Sequence, residues 1–134
     1  MDVQEIQKLD AYLKRLFGSA RIRVAPKQDD LADVLMGEER LGELNVDDED
    51  DERSYNFRME FRLPEVADLT PKQQLDAYLK RKFDNEKIRV IPRAKKQDSL
   101  EAYVGDEFVG VLFIENEKSQ RSYILEMPIL EMDL

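Results

Sequence analysis

LDAYLKR occupies residues 9–15 and returns letter for letter at residues 75–81, 66 positions on. Seven consecutive matches of mixed apolar, acidic and basic type do not arise by coincidence in a chain of 134 residues. The extent of the repeat therefore decides the fold. At the same offset Phe17 aligns with Phe83, Ile22-Arg23-Val24 with Ile88-Arg89-Val90, and Pro26 with Pro92; twelve of the eighteen positions from 9 to 26 are identical. Two residues then enter the second copy around 94–97, and the offset becomes 68. From there Gly37 meets Gly105, Gly42 meets Gly110, Arg53-Ser54-Tyr55 meets Arg121-Ser122-Tyr123, and Met59 meets Met127. The chain is two copies of one unit, 1–63 and 71–134, joined by a linker at 64–70.

Each copy opens on a helical pattern. Asp2 with Glu5, and Thr70 with Gln73, have the spacing of a capping box, and Pro71 suits a first helical position. Ile6, Leu9, Leu13, Leu16 and Phe17 recur at helical spacing, as do Leu75, Tyr78, Leu79 and Phe83. Gly18 and Asp84-Asn85 supply left-handed stops. The period then drops to two: Ile22 and Val24, Ala32 to Met36, Leu44 and Val46, and Tyr55 to Leu63 each alternate with more polar neighbours, and the second copy does the same. Short polar connections between these runs make an antiparallel meander. The predicted fold is α+β: two tandem α-β-β-β-β repeats, each a helix packed on a four-stranded antiparallel meander. A unit of this size buries only ~60% of its unfolded surface. The two are therefore expected to dock as a pseudo-two-fold internal dimer, descended by duplication from a homodimer.

The stretch IRVIPRAKKQDSLEAYVGDEFVGVLF, residues 88–113, resembles the central motif of a short alphaproteobacterial protein family of unknown function. LDAYLKR-x-F, the segment Ser54-Tyr55-Asn56-Phe57 and the tail ILEMDL at 129–134 resemble it as well. Members of that family look like a single copy of the unit. The first copy departs from the pattern where Arg40, Glu43 and Asn45 replace Phe108, Val111 and Phe113. The resemblance implies a bacterial origin and carries no activity, cofactor or site residue with it.

Composition narrows the function. Lys and Arg total 21 against 30 Asp and Glu, a net charge of −9, yet 42% of residues are hydrophobic, which places the chain among folded acidic proteins. No apolar run approaches the ~20 residues of a membrane span, and MDVQEIQKLD lacks the pattern of a signal peptide. There is no Cys and no His, so thiolate chemistry, imidazole acid–base catalysis and the commonest metal ligands are all missing. Walker A, GxGxxG, GxSxG and HExxH patterns are absent too. A cytoplasmic protein that is not an enzyme, and that holds no cofactor or metal, is the expectation.

Two features stand out for recognition. Asp47, Asp48, Glu49, Asp50, Asp51 and Glu52 form an unbroken acidic run between the third and fourth strands of copy one. It lacks the alternation and central glycine of a calcium loop, and reads as a solvated hairpin loop. The other feature is an asymmetry of sheet faces. Outward positions of copy one are polar, whereas copy two places Val111, Phe113, Ile124 and Leu130 there, with Tyr103 and Phe108 joining them. A sheet apolar on both faces is normally covered on both. The reading is a non-catalytic protein-binding or assembly module that uses this outer face toward a protein partner or a second copy. The alternative is an acidic inhibitor that mimics nucleic acid and blocks a DNA-binding protein. Residues 1–66 carry a net −7 and residues 67–134 a net −2, so direct binding of nucleic acid is disfavoured. The repeated Ser-Tyr pairs, on apolar strand faces, read as core.

Overall fold

The computed structural model describes residues 1–49, 52–117 and 120–134. Each repeat is one helix followed by four antiparallel strands, in an α+β architecture. The first repeat runs α1 (Val3–Phe17), β1 (Ile22–Gln28), β2 (Leu31–Met36), β3 (Glu39–Glu49) and β4 (Glu52–Pro64). The second runs α2 (Pro71–Lys82), β5 (Ile88–Arg93), β6 (Lys96–Val104), β7 (Glu107–Glu117) and β8 (Gln120–Leu130), with a 3-10 turn at Glu131–Asp133. Within each repeat, consecutive strands pair as antiparallel neighbours. No helix is long and apolar enough to cross a membrane, among the described residues.

The chain divides into two compact units, Met1–Met59 with Met127–Leu134, and Glu60–Glu126. The division falls inside β4 and inside β8, at positions within one residue of equivalence at the 68-residue offset, and not at the 64–70 linker. Both strands are long and continuous, so each begins in one unit and ends in the other.

Local signals set the helix ends. The Asp2 carboxylate accepts the Glu5 N–H at 2.8 Å while the Glu5 side chain accepts the Asp2 N–H at 3.2 Å. Thr70 and Gln73 exchange the same pair of bonds at 3.2 and 2.9 Å. Gly18 (φ 63°) and Asp84 (φ 50°) close the helices in the left-handed region. In the first unit Leu9, Leu13, Leu16 and Phe17 are buried with Ile22, Val24, Ala32, Val34, Met36, Leu44, Tyr55, Phe57 and Met59. In the second unit Leu75, Leu79 and Phe83 are buried, as are Ile88, Val90, Leu100, Ala102, Leu112, Tyr123 and Leu125.

One carboxylate in each repeated heptapeptide ties helix to sheet. The Asp10 side chain accepts the Val24 N–H at 2.9 Å, and the Asp76 side chain accepts the Val90 N–H at 2.7 Å. The arginine of each Ile-Arg-Val ties the next turn: Arg23 Nε donates to the Gly37 carbonyl and Arg89 Nε to the Gly105 carbonyl, both at 3.1 Å. Those glycines need their positive φ, 62° and 61°. The β2–β3 and β6–β7 ladders both slip by one residue, leaving Leu41 and Val109 as buried extra residues of a bulge. Gly42 follows the first bulge, where an added Cβ would lie 2.3 Å from the Arg58 carbonyl oxygen.

Replacing Asp76 by Ala leaves unpaired the N–H of Val90, a fully buried residue. The expected loss is about 1–3 kcal/mol of unfolding free energy in urea. The Val90 amide should exchange faster while the Val24 amide keeps its protection. An Asp76→Ala chain of unchanged stability, with Val90 still protected, would show that the carboxylate does not hold the strand.

Candidate functional site

The register of β6, β7 and β8 fixes which side chains share the outer face. Leu100, Ala102, Leu112 and Leu125 point inward and are buried. Their neighbours in sequence form outward rows: Ser99, Phe113 and Ile124; Glu101, Val111 and Glu126; and Tyr103 opposite Phe108. Phe108 is 47% exposed and Phe113 38% exposed. Tyr103, Val111 and Ile124 are half-buried around them. The Tyr103 and Phe108 rings meet edge to face at 5.7 Å, and the Arg89 guanidinium lies 4.9 Å from the Tyr103 ring centre. Five of the six apolar residues expected on this face are therefore together in the second unit.

Leu130 is the exception. It falls in the first unit, because β8 passes into that unit after Glu126. There it lines an open concavity of about 640 Å³ with Asp47, Glu49, Glu52, Arg53, Glu131 and Met132 among the walls. Its neighbours there are the ends of the acidic hairpin and residues 131 and 132.

The acidic run is also not simply a loop. Asp47, Asp48 and Glu49 end β3 and Glu52 begins β4, with Asp47 opposite Ser54, Asp48 opposite Arg53 and Glu49 opposite Glu52. Asp50 and Asp51 lie outside the described residues. Arg53 offsets the like charge, since its Nη1 reaches Asp48 at 3.0 Å. Among the described residues no group of three or more acidic side chains is placed to hold a metal ion.

The outer face of β1 to β4 in the first unit carries ion pairs on the same rows. Arg40 pairs with Asp33 at 2.9 Å and with Glu43 at 3.7 Å, and Lys27 pairs with Glu43 at 3.1 Å. Arg40 and Glu43 are the counterparts of Phe108 and Val111. One backbone frame thus presents a salt-bridged face in one repeat and an apolar face in the other.

Sequence reasoning missed a cluster built around Glu5. Arg53 donates to it through Nε at 2.6 Å and Nη2 at 3.2 Å, and the Tyr55 hydroxyl donates to the same carboxylate. Burial alone would push the Glu5 carboxyl up, but the bonds from Arg53, Tyr55 and the Asp2 N–H overturn that and hold it at about 2. Burial and the bond to Glu5 push the Tyr55 phenol up to about 12. The bond to Glu5 raises Arg53 above its already high value. The only signal in the sequence was the repeated Arg-Ser-Tyr, which does not name its partner.

Two helix-plus-four-strand repeats, matched residue for residue at the edge-strand ties and the bulges, define a duplicated α+β module. The family model described as a protein of unknown function, DUF3126, matches it twice, over residues 5–62 and 72–133. The chain belongs to that family. No curated protein and no solved structure matches it.

The Glu5 carboxyl is lowered from 4.5 in the unfolded reference to about 2 in the fold. Its contribution to stability is thus complete above about pH 4.5 and is lost as pH falls through about 2. Glu5→Gln should cost about 1–3 kcal/mol at neutral pH, the range for charge-assisted hydrogen bonds. The gap between wild type and variant, followed by urea unfolding at a series of pH values, should close across that acid window. A gap that stays constant down to the lower limit would assign the cost to packing instead.

Proposed function

We propose that this chain is a non-catalytic recognition module that docks on a partner polypeptide through the outer face of β6 to β8. The observation that carries this reading is the exposure of Phe108 and Phe113 side by side with Tyr103, Val111 and Ile124 on that face. Contiguous apolar surface of this kind, with a polar surround, is what interaction sites present. Arg89 borders Tyr103, and Glu101 and Glu126 flank Val111 on either side.

Charge selects the occupant. A net −9 sets two copies of the chain against each other, and the first unit adds Asp47, Asp48, Glu49 and Glu52 on one hairpin. A partner whose apolar anchors are ringed by Lys and Arg suits both features, with attraction raising the encounter rate and apolar burial slowing release. The absence of His and Cys supports a non-catalytic role. So does the Glu5 cluster, whose carboxyl near 2 and phenol near 12 are both far from exchanging protons at neutral pH. A cytoplasmic setting accords with the cysteine-free composition.

The test is affinity capture from the host, with the wild-type chain and a Val111→Asp, Phe113→Asp double variant, at low and at raised salt. The expected result is capture of a basic protein that the double variant loses by at least about tenfold, since each buried side chain is worth ~1.5–3 kcal/mol. Far-UV dichroism should be the same for both chains. Retention of that partner by the double variant overturns the proposed face. Capture that survives the double variant, but collapses in salt and on neutralising Asp47, Asp48, Glu49 and Glu52, points instead to nucleic-acid mimicry.

A further inference from the structure

Arg-Ser-Tyr is present in both repeats, but the carboxylate it holds is present in only one. Position 5 aligns with Pro71, because α2 starts two residues later in its repeat than α1 does. Arg121 and Tyr123 thus occupy the places of Arg53 and Tyr55 with no Glu5 between them.

The consequence is visible in the second unit. Tyr123 is fully buried, and its hydroxyl has no hydrogen-bond partner among the described residues. Its ring cannot swing out, being stacked on Phe61 at 5.4 Å, which is itself stacked on Tyr78 at 4.3 Å. Arg121 Nη1 is likewise buried and unpartnered. Arg121 Nη2 reaches the Glu65 carboxylate at 3.3 Å, and Glu65 is more than half exposed. One residue before Glu65, the Pro64 carbonyl accepts from Gln74, whose own Oε1 is a third buried atom without a partner. Gln74 is the counterpart of Lys8, which lines the Glu5 cavity with Arg53 and Tyr55 in the first unit.

A phenol O–H and a guanidinium N–H, both out of water and both unmet, call for an anionic acceptor with two oxygens in one plane. The first repeat displays the matching solution: one carboxylate oxygen takes Tyr55 and Arg53 Nε, the other takes Arg53 Nη2. We propose that Arg121 and Tyr123 form a receptor for a carboxylate that this chain does not itself supply, entering beneath residues 64 and 65 and displacing Glu65 from Arg121. The carboxylate can belong to a small organic acid or to the C-terminus of a peptide, since both offer the same two oxygens. The site is separate from the apolar face and does not depend on it.

The test uses the full chain and two probes, acetate and a short peptide made with a free or an amidated C-terminus. Acetate should raise the melting temperature saturably where chloride at equal ionic strength does not. In amide-detected NMR its titration should shift the signals of residues 121–123. Tyr123→Phe, which keeps the ring packing, should weaken the response by about tenfold. Pro71→Glu should supply the missing carboxylate in cis, raise the melting temperature unaided and abolish the acetate response. A stronger response to the free-ended peptide than to acetate, lost on amidation, identifies a peptide terminus as the source; equal or weaker response identifies a small acid. The proposal is overturned if neither probe produces a saturable shift, or if the acetate response persists in Tyr123→Phe and Pro71→Glu alike.

Discussion

The free edge of β1, and of its counterpart β5, is the constraint on which each unit rests. A strand paired on one side only leaves every second N–H and C=O without a sheet partner, and here that edge lies under a helix where water is scarce. In the second unit several of these groups can be followed. The Ile88 N–H donates to the Asn85 carbonyl at 3.5 Å, the Ile88 carbonyl accepts from Lys80, the Val90 N–H goes to Asp76, and Pro92 has no N–H to satisfy. The first unit repeats the device with Asp10 on Val24 and Pro26 two residues on. LDAYLKR is thus more than an amphipathic stripe. Its leucines fill the core, its aspartate meets the edge, and its lysine covers either that aspartate, as Lys14 does, or the strand carbonyl, as Lys80 does.

That device also explains what was legible in the sequence. Capping boxes, left-handed stops and alternating strands are local: each is decided by residues within three or four positions, and all were found where the pattern placed them. The buried faces followed, because a period of two has only one register that puts Leu44, Phe57 and Met59 inside. What could not be read depends on contacts distant in sequence. Glu5 meets Arg53 and Tyr55 across some fifty positions, and nothing near Glu5 says that its carboxylate serves more than the helix cap. Leu130 lies on the exposed face of its strand as the period of two requires, whereas the division of β8 between two compact units is a property of the whole chain. The acidic run, read by composition as loop, is held in the ladder by its pairing with Arg53 and Ser54.

The two outer faces show what each kind of surface interaction is worth. Exposed pairs such as Arg40 with Asp33 contribute at most about 1 kcal/mol each. The fold of the first unit therefore rests on its buried side, and its outer face could be rewritten without loss. The second unit demonstrates the rewriting: the bulge, the glycine turn and the arginine on its carbonyl are kept, while Arg40, Glu43 and Asn45 give way to Phe108, Val111 and Phe113. Stability does not require aromatic rings at half-exposed positions, and solubility disfavours them. Their presence on only one of two equivalent frames is best explained by something that the second face meets and the first does not.

A similar logic, inverted, applies to the interior. Duplicated buried polar groups are expected to be kept together or lost together, because a partnerless donor costs more than an apolar replacement. Tyr123→Phe and a shorter residue at 121 would have been the cheap response to a proline at 71. The second repeat has instead kept the whole Arg-Ser-Tyr triplet while shortening its helix. A donor pair retained after its internal acceptor is gone is placed to receive an acceptor from outside. On this view the first repeat is the closed form of the unit, completed by its own Glu5, and the second is the open form.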